Sequence, residues 1–257
     1  MVTQPVVVIT GASSGIGAAL ARQLGQREFR IVIAARRADA LRAVSEESGP
    51  HCRPVVTDVT RRQDVERLLG EAVAMFGAVD VWVNNVGRGV NASVLDLTDE
   101  QFDSMMAVNV KSALYGMQAV VPHFKERGRG HLINVSTFLS RVPLAPYRSG
   151  YNAAKAALDS LTANLRVELR GEYPEIHVSL VIPGMVKTEF GANAIGGSPA
   201  VTWATRTGAR AESADEVAVA IESLIAQPRA ELYTRPEQHD AVVRYVQDVA
   251  AFERALP

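Results

Sequence analysis

Six short runs of apolar and β-branched residues recur along the chain, most followed by a longer stretch with helical spacing. The runs are VVVIT (6–10), RIVIAAR (30–36), CRPVVTDV (52–59), VDVWVNN (79–85), GHLINVST (130–137) and IHVSLVIPG (176–184). Between them, residues 15–27, 37–48, 62–77, 99–128 and 151–172 read as helices, the last with Leu158, Leu161, Leu165 and Leu169 on one stripe. Continuously apolar strands require cover on both faces of their sheet. Regular strand–helix alternation makes the strands parallel, with right-handed crossovers. The expected fold is therefore α/β, a doubly wound parallel sheet of about seven strands with helices on both faces. No linker, low-complexity stretch or short repeat divides the chain, so residues 1–257 are expected to form a single domain.

After the sixth run the pattern loosens. Residues 185–211 are small and polar, punctuated by Phe190, Ile195 and Trp203, and read as a substrate loop. A helix over 213–227 starts at Ser213, with Glu216 at the capping-box position. A short strand over 231–235 follows, and the tail 238–256 reads as one amphipathic helix. The net charge of -1 gives no reason to expect nucleic acid as the main partner. Cys52 is the only cysteine, which excludes an internal disulfide and a cysteine metal cluster; no metal site is expected. With no secretory pattern at residues 1–17 and no apolar run of about 18 residues, neither export nor a membrane span is expected, and the cytoplasm is the default location.

The first strand runs directly into ITGASSGIGAAL. Gly11, Gly15 and Gly17 form Gly-x-x-x-Gly-x-Gly between strand and helix, and Gly11, Ser13, Ser14, Gly15, Ile16 and Gly17 are the candidate phosphate cradle. Glycines let the backbone approach a pyrophosphate, and the following helix end offers amides and positive potential. This makes the sheet a Rossmann-like, dinucleotide-binding one. About 20 residues on, an acid that reads the ribose hydroxyls of NAD(H) is expected. Ala35 occupies that place, followed by Arg36 and Arg37. Guanidinium groups there suit a 2'-phosphate, so NADP(H) is favoured over NAD(H). The alternative is that both arginines are solvated charges at a helix start.

Tyr151 and Lys155 are four apart at a helix start and share a face. An ammonium beside a phenol stabilises the phenolate and lowers the tyrosine pKa. Such a tyrosine can protonate a nascent alkoxide or take the proton of an alcohol.

Thr10-Gly11-x-x-x-Gly15-x-Gly17, Asn84-Asn85-Val86-Gly87, Val108-Asn109-Val110, Tyr151-x-x-x-Lys155 and Pro183-Gly184-x-x-x-Thr188 occur in this order on the expected elements. As a set they resemble the single-domain short-chain dehydrogenase/reductase family, closely over residues 5–190 and weakly beyond. The resemblance implies Tyr151 as general acid/base. It implies Lys155 as the group that lowers the tyrosine pKa and holds the nicotinamide ribose, and Asn109 as the holder of a water linking Lys155 to solvent. Asp58 and Val59 would border the adenine, and Asn85 and Gly87 its ribose. Pro183, Gly184, Val186 and Thr188 would flank the nicotinamide. Alternatives stand beside these roles: Asp58 as a helix cap, Asn84 as a tie between strands.

The family's catalytic hydroxyl usually closes a Ser-Ser pair thirteen residues before the tyrosine. Here Thr137 lies fourteen and Ser136 fifteen before Tyr151, so one inserted residue favours Thr137, with Ser136 as the alternative. Strand alternation points the two side chains opposite ways. Val86 replaces the family's usual alanine. ELYTRPEQ replaces the usual Asp-Gly-Gly turn, which leaves homodimer or homotetramer open and suggests that the tail covers an apolar interface. The expected activity is hydride transfer between NADP(H) and a small-molecule carbonyl or secondary alcohol of mainly apolar character; the rival reading is an NADP(H) sensor or scaffold without turnover. Leu139, Val142, Leu144, Met185, Phe190 and Trp203 suggest an apolar substrate wall, and Arg88, Arg141, Arg148 and Arg206 a candidate anion site, with solvated arginines as the plainer reading.

Overall fold

A computed structural model describes residues 4–197 and 210–256. Trp203 and Arg206, with the rest of 198–209, lie outside the described residues. Seven parallel strands form the central sheet: β1 (Val6–Thr10), β2 (Arg30–Ala35), β3 (Cys52–Val56), β4 (Val81–Asn84), β5 (Gly130–Val135), β6 (Ile176–Ile182) and β9 (Glu231–Tyr233), in the order β3-β2-β1-β4-β5-β6-β9. The order reverses at β1, whose neighbours are β2 and β4. In open parallel sheets, ligands lie in the crevice beyond the strand ends at such a reversal.

The two-residue period of the strands explains the layering. Val7 and Ile9 face α1 (Gly15–Gln26), α2 (Ala38–Glu47) and α7 (Ala214–Ala226), together with Ile31, Ile33, Val83 and Ile133. Val8, Val32, Trp82 and Leu132 face α3 (Arg62–Phe76), α5 (Ser112–Arg127) and α6 (Ser149–Leu169). Leu158 and Leu169 of the leucine stripe are buried on this second face, with Leu161 and Leu165 packed beside them. Each such fully buried aliphatic side chain contributes about 1.5–3 kcal/mol.

Three differences from the expected elements matter for the site. The helix expected over 99–128 is α4 (Asp99–Met106) and α5 joined by one π-helical segment, Ala107–Lys111. One extra residue in a helical turn re-aims side chains, a device common at functional sites. Here it carries Asn109 inward, 0% exposed. Second, β5 ends at Val135, so Ser136 and Thr137 lie in the following loop. Third, the tail is two helices, α8 (Pro236–Gln247) and α9 (Val249–Arg254), parted at Asp248, whose carboxylate caps α9 by accepting from Ala251 N at 2.9 Å. An additional parallel pair, β7 (Val186–Lys187) with β8 (Glu212–Ser213), was not expected from sequence. The Ser213–Glu216 capping box is present as read. No helix among the described residues is long and apolar enough to cross a membrane.

Candidate active site

The phosphate loop is built by close backbone approach. A Cβ on Gly17 would lie 2.6 Å from the Gly11 carbonyl oxygen and 2.7 Å from Asn85 Nδ2, so only glycine fits. Gly11 itself has φ +71°, a conformation that costs other residues. Asn85 holds the loop by donating to the carbonyls of Thr10 (3.1 Å) and Gly11 (3.2 Å), while Thr10 Oγ1 donates to the Val83 carbonyl at 3.1 Å. Asn84 is a tie between strands: it accepts from Trp82 Nε1 at 2.8 Å and donates to Asn134 Oδ1 at 2.9 Å, and Asn134 passes on to Thr162 Oγ1 at 2.9 Å.

A cavity of about 480 Å³ opens above this loop. Gly11, Ser13, Ser14, Gly15, Ile16, Arg36, Arg37, Asp58, Val59, Asn85, Gly87, Ser136, Tyr151, Lys155 and Thr188 line it, as do Val86, Arg88, Glu189 and Phe190. Gly17 lies beneath it as scaffold. Thr137, Asn109, Pro183, Gly184 and Val186 do not line it: Asn109 is fully buried, the Pro183 carbonyl accepts from Phe138 N, Gly184 N donates to Glu212 Oε2 at 3.0 Å, and Val186 pairs with Glu212 in β7–β8. Of the expected apolar wall, Val142 and Leu144 are buried and Met185 is 43% exposed; among the described residues only Phe190 borders the cavity.

At the glycine-loop end of the cavity, Arg37 Nη2 donates to Ser14 Oγ at 2.9 Å and Ser13 Oγ at 3.2 Å, and its Nη1 lies 3.9 Å from Glu189 Oε2. Asp58 accepts from Thr60 N and Oγ1, at 3.0 and 2.7 Å. Its carboxyl is held below the ordinary range: burial opposes ionisation, but the Thr60 bonds and the Arg36 charge outweigh it.

At the other end, α6 starts at Ser149, which places Tyr151 in its first turn and Lys155 one turn on. Thr137 keeps an extended backbone (φ -159°, ψ 151°), so the alternation of the strand carries on past its end. Its hydroxyl accepts from Leu139 N at 3.3 Å and acts on the Tyr151 phenol, favouring its ionised form. Ser136 turns the other way and donates to Asp159 Oδ1. Asp159 also accepts from Ser140 Oγ at 2.6 Å and pairs with Arg141 Nε at 2.9 Å; Arg141 reaches Glu231 Oε1 at 2.8 Å. Arg141 is thereby removed from any anion site, its guanidinium held above its usual pKa against burial by Asp159 and Glu231. Asp159 was missed in the sequence, although it lies four residues after Lys155 on the same helical face.

Lys155 is 2% exposed, and its Nζ donates to the Val135 carbonyl at 2.8 Å. A Cβ on Gly87 would lie 3.7 Å from that Nζ and 3.3 Å from Asn109 Oδ1, so both groups converge on Gly87. Asn109 Oδ1 accepts from Arg88 N at 3.0 Å, and its Nδ2 donates to the Met105 and Arg88 carbonyls at 3.0 Å. Burial lowers the Lys155 ammonium to about 8, with Asp159 opposing. Burial pushes the Tyr151 phenol up to about 12, opposed by the Thr137 hydroxyl and by the Arg148 charge. The lowering of the Tyr151 pKa expected from Lys155 is not found: Lys155 is not among the groups that shift the phenol, and desolvation raises it.

The model of the short chain dehydrogenase family matches residues 5–196. An uncharacterised oxidoreductase of Staphylococcus aureus is 35% identical over 193 residues, 75% of this chain and 82% of that protein. A short-chain dehydrogenase/reductase from Burkholderia phymatum, solved in complex with NAD, superposes with TM-score 0.86 at 26% identity over 97% of this chain and 95% of that one. An alcohol dehydrogenase from the archaeon Thermococcus sibiricus, complexed with 5-hydroxy-NADP, does so with TM-score 0.77 at 29% identity over 90% and 95%. The glycine loop at the sheet reversal, the converging Tyr151, Lys155 and Asn109, and these likenesses have one explanation: the chain belongs to the short-chain dehydrogenase/reductase family of oxidoreductases.

Proposed function

We propose that the protein transfers a hydride between NADP(H) and the carbonyl or secondary alcohol carbon of a substrate with a mainly apolar body, using Tyr151 as general acid/base. The observation that carries this reading is the meeting of Tyr151 and Lys155 at one end of a cavity whose other end is a glycine loop, with the Thr137 hydroxyl acting on the phenol. The cradle fits a dinucleotide: Gly11, Gly15 and the loop hydroxyls of Ser13 and Ser14 line the cavity and leave backbone amides and small donors for a pyrophosphate. Arg36 and Arg37 border the same mouth, and Ala35 offers no carboxylate for a ribose diol, which supports NADP(H) over NAD(H). Bound there, the nicotinamide ring supplies or accepts the hydride.

The protein's part is positioning and proton transfer. In reduction, Thr137 Oγ1 donates to the substrate oxygen and fixes it against Tyr151 Oη. Tyr151 then gives its proton to that oxygen as the carbon takes the hydride; oxidation runs the same path backwards. A phenol held up by burial stays protonated at neutral pH, the form that reduction requires. Lys155, kept in place by the Val135 carbonyl, is the donor for the nicotinamide ribose, and Asn109 shapes the wall beside it. Exposed Val94, Leu95 and Phe102 support a homodimer or homotetramer as the working form.

The test is Tyr151→Phe assayed with NADPH and NADH against a panel of ketones. Loss of turnover with NADPH binding retained is expected. Turnover kept in the variant refutes the role of Tyr151, and wild-type preference for NADH refutes the role of the arginines. Tight NADPH binding with no hydride transfer across the panel supports a sensor instead.

A further inference from the structure

Of the four arginines that the sequence offers as an anion site, Arg141 is consumed by Asp159 and Glu231, and Arg206 lies outside the described residues. Arg88 is exposed at the cavity rim. Arg148 is different. It is half-buried and has no carboxylate partner among the described residues. The nearby acids have their own cations: Glu189 faces Arg37, and Asp159 faces Arg141. The Arg148 guanidinium stacks 5.4 Å from the centroid of the Phe190 ring, and the same ring lies 5.1 Å from that of Tyr151.

This placement is built. The Arg148 backbone is fixed by a bridge to Ala92 and by its amide donating to the Ala145 carbonyl at 2.9 Å, and Ser149 Oγ donates to the Ala92 carbonyl at 2.9 Å. A Cβ on Gly89 would come within 2.8 Å of Arg148 Nη1 and 3.1 Å of Phe190, so the absence of a side chain there makes room for both groups. The segment bearing Phe190 is stitched over the site, with Ile195 N donating to the Gly89 carbonyl at 3.0 Å and Asn91 N to the Ile195 carbonyl at 2.8 Å. The result is a cation without a counter-ion among the described residues, held one aromatic ring away from the proton-transfer group. Its charge also reaches the phenol electrostatically.

The geometry points to Arg148 as the anchor of a substrate carboxylate, which makes the substrate a hydroxy or oxo acid whose carboxylate lies a few bonds from the reacting carbon. This rests on the reading of Tyr151 as the acid/base. The carbonyl carbon of the oxo acid takes hydride from reduced nicotinamide, its oxygen takes the Tyr151 proton, and the products are the hydroxy acid and oxidised cofactor. The carboxylate is unchanged and serves only to orient. Phe190 covers the apolar body of the substrate, and the guanidinium selects its charged end.

The test compares short 2-, 3- and 4-oxo acids with their methyl esters, using NADPH, in wild type, Arg148→Met and Arg148→Lys. Methionine keeps contact with Phe190 without the charge, and thermal melting checks that both variants fold; where the methionine variant does not, the lysine variant carries the comparison. Loss of a charge-assisted bond predicts that the acid-over-ester ratio of kcat/KM in wild type falls about ten- to a hundredfold in Arg148→Met, through KM rather than kcat, with partial recovery in Arg148→Lys. A wild-type ratio near one, or equal losses on acid and ester, overturns the proposal. Should no compound be turned over, the oxidoreductase reading fails separately, and calorimetry decides about Arg148. Hexanoate is then titrated against methyl hexanoate into NADPH-saturated wild type and Arg148→Met. Preference for hexanoate that the variant loses supports the anchor, and its absence in wild type overturns it.

Discussion

Ser136→Ala and Thr137→Ala should have crossed effects, because adjacent hydroxyls serve different masters. Ser136 donates to the buried carboxylate of Asp159, which also holds Ser140 at 2.6 Å and Arg141 at 2.9 Å. Removing a hydrogen bond to a charged buried group costs about 1.5–3 kcal/mol. For a chain of this length each kcal/mol moves Tm by about 2–4 °C, so Ser136→Ala should lower Tm by about 3–12 °C. The Ser136 hydroxyl turns away from the phenol, so activity of the folded variant should stay within about threefold of wild type, the range of a small repositioning error. Thr137 lies beside the Tyr151 phenol and is otherwise engaged only as an acceptor from Leu139 N. Its loss should leave Tm nearly unchanged and lower kcat by about 10²–10³, the usual effect of deleting a donor to a developing oxyanion. Differential scanning fluorimetry and steady-state ketone reduction measure both axes. A greater loss of turnover in Ser136→Ala than in Thr137→Ala refutes the reasoning and moves the catalytic hydroxyl one residue upstream.

Other outcomes follow from the same geometry. Gly17→Ala should abolish NADPH binding in fluorescence titration, since its Cβ would sit 2.6 Å from the Gly11 carbonyl oxygen; a Kd within about twofold of wild type contradicts the close approach. Arg37→Ala should raise KM for NADPH by about ten- to a hundredfold and leave that for NADH nearly unaltered; equal effects mean that Arg37 only braces Ser13 and Ser14. Lys155 titrates near 8 in the folded protein against 10.5 when exposed, so between those values the unfolded chain holds the extra proton and stability rises with pH. The gain is on the order of 3 kcal/mol and should vanish in Lys155→Met, read from denaturation midpoints; parallel pH slopes for the two proteins contradict the burial argument. Above pH 10 the sign reverses, because the Tyr151 phenol, up at about 12, keeps its proton longer folded than unfolded.

The strand–helix alternation, the parallel sheet, the glycine loop and the Tyr151–Lys155 face were legible in the sequence because each depends on spacing of a few residues, where local geometry dictates the outcome. That Ser136 and Thr137 turn opposite ways was legible, since alternation separates the two side chains even though the strand stops at Val135. The tertiary structure decided what depends on distant chain. Arg141 became a structural cation only because Asp159 and Glu231, 18 and 90 residues away, converge on it. Asn109 is buried within a π-helical turn that interrupts the expected single helix, a turn with no signal in the spacing. The tail broke at Asp248 and set Gln238, 5% exposed, against Gly184, where amphipathic spacing suggested one continuous helix. Burial reversed the expected direction of the Tyr151 pKa, because desolvation comes from the whole packed environment and has no signature in a four-residue spacing.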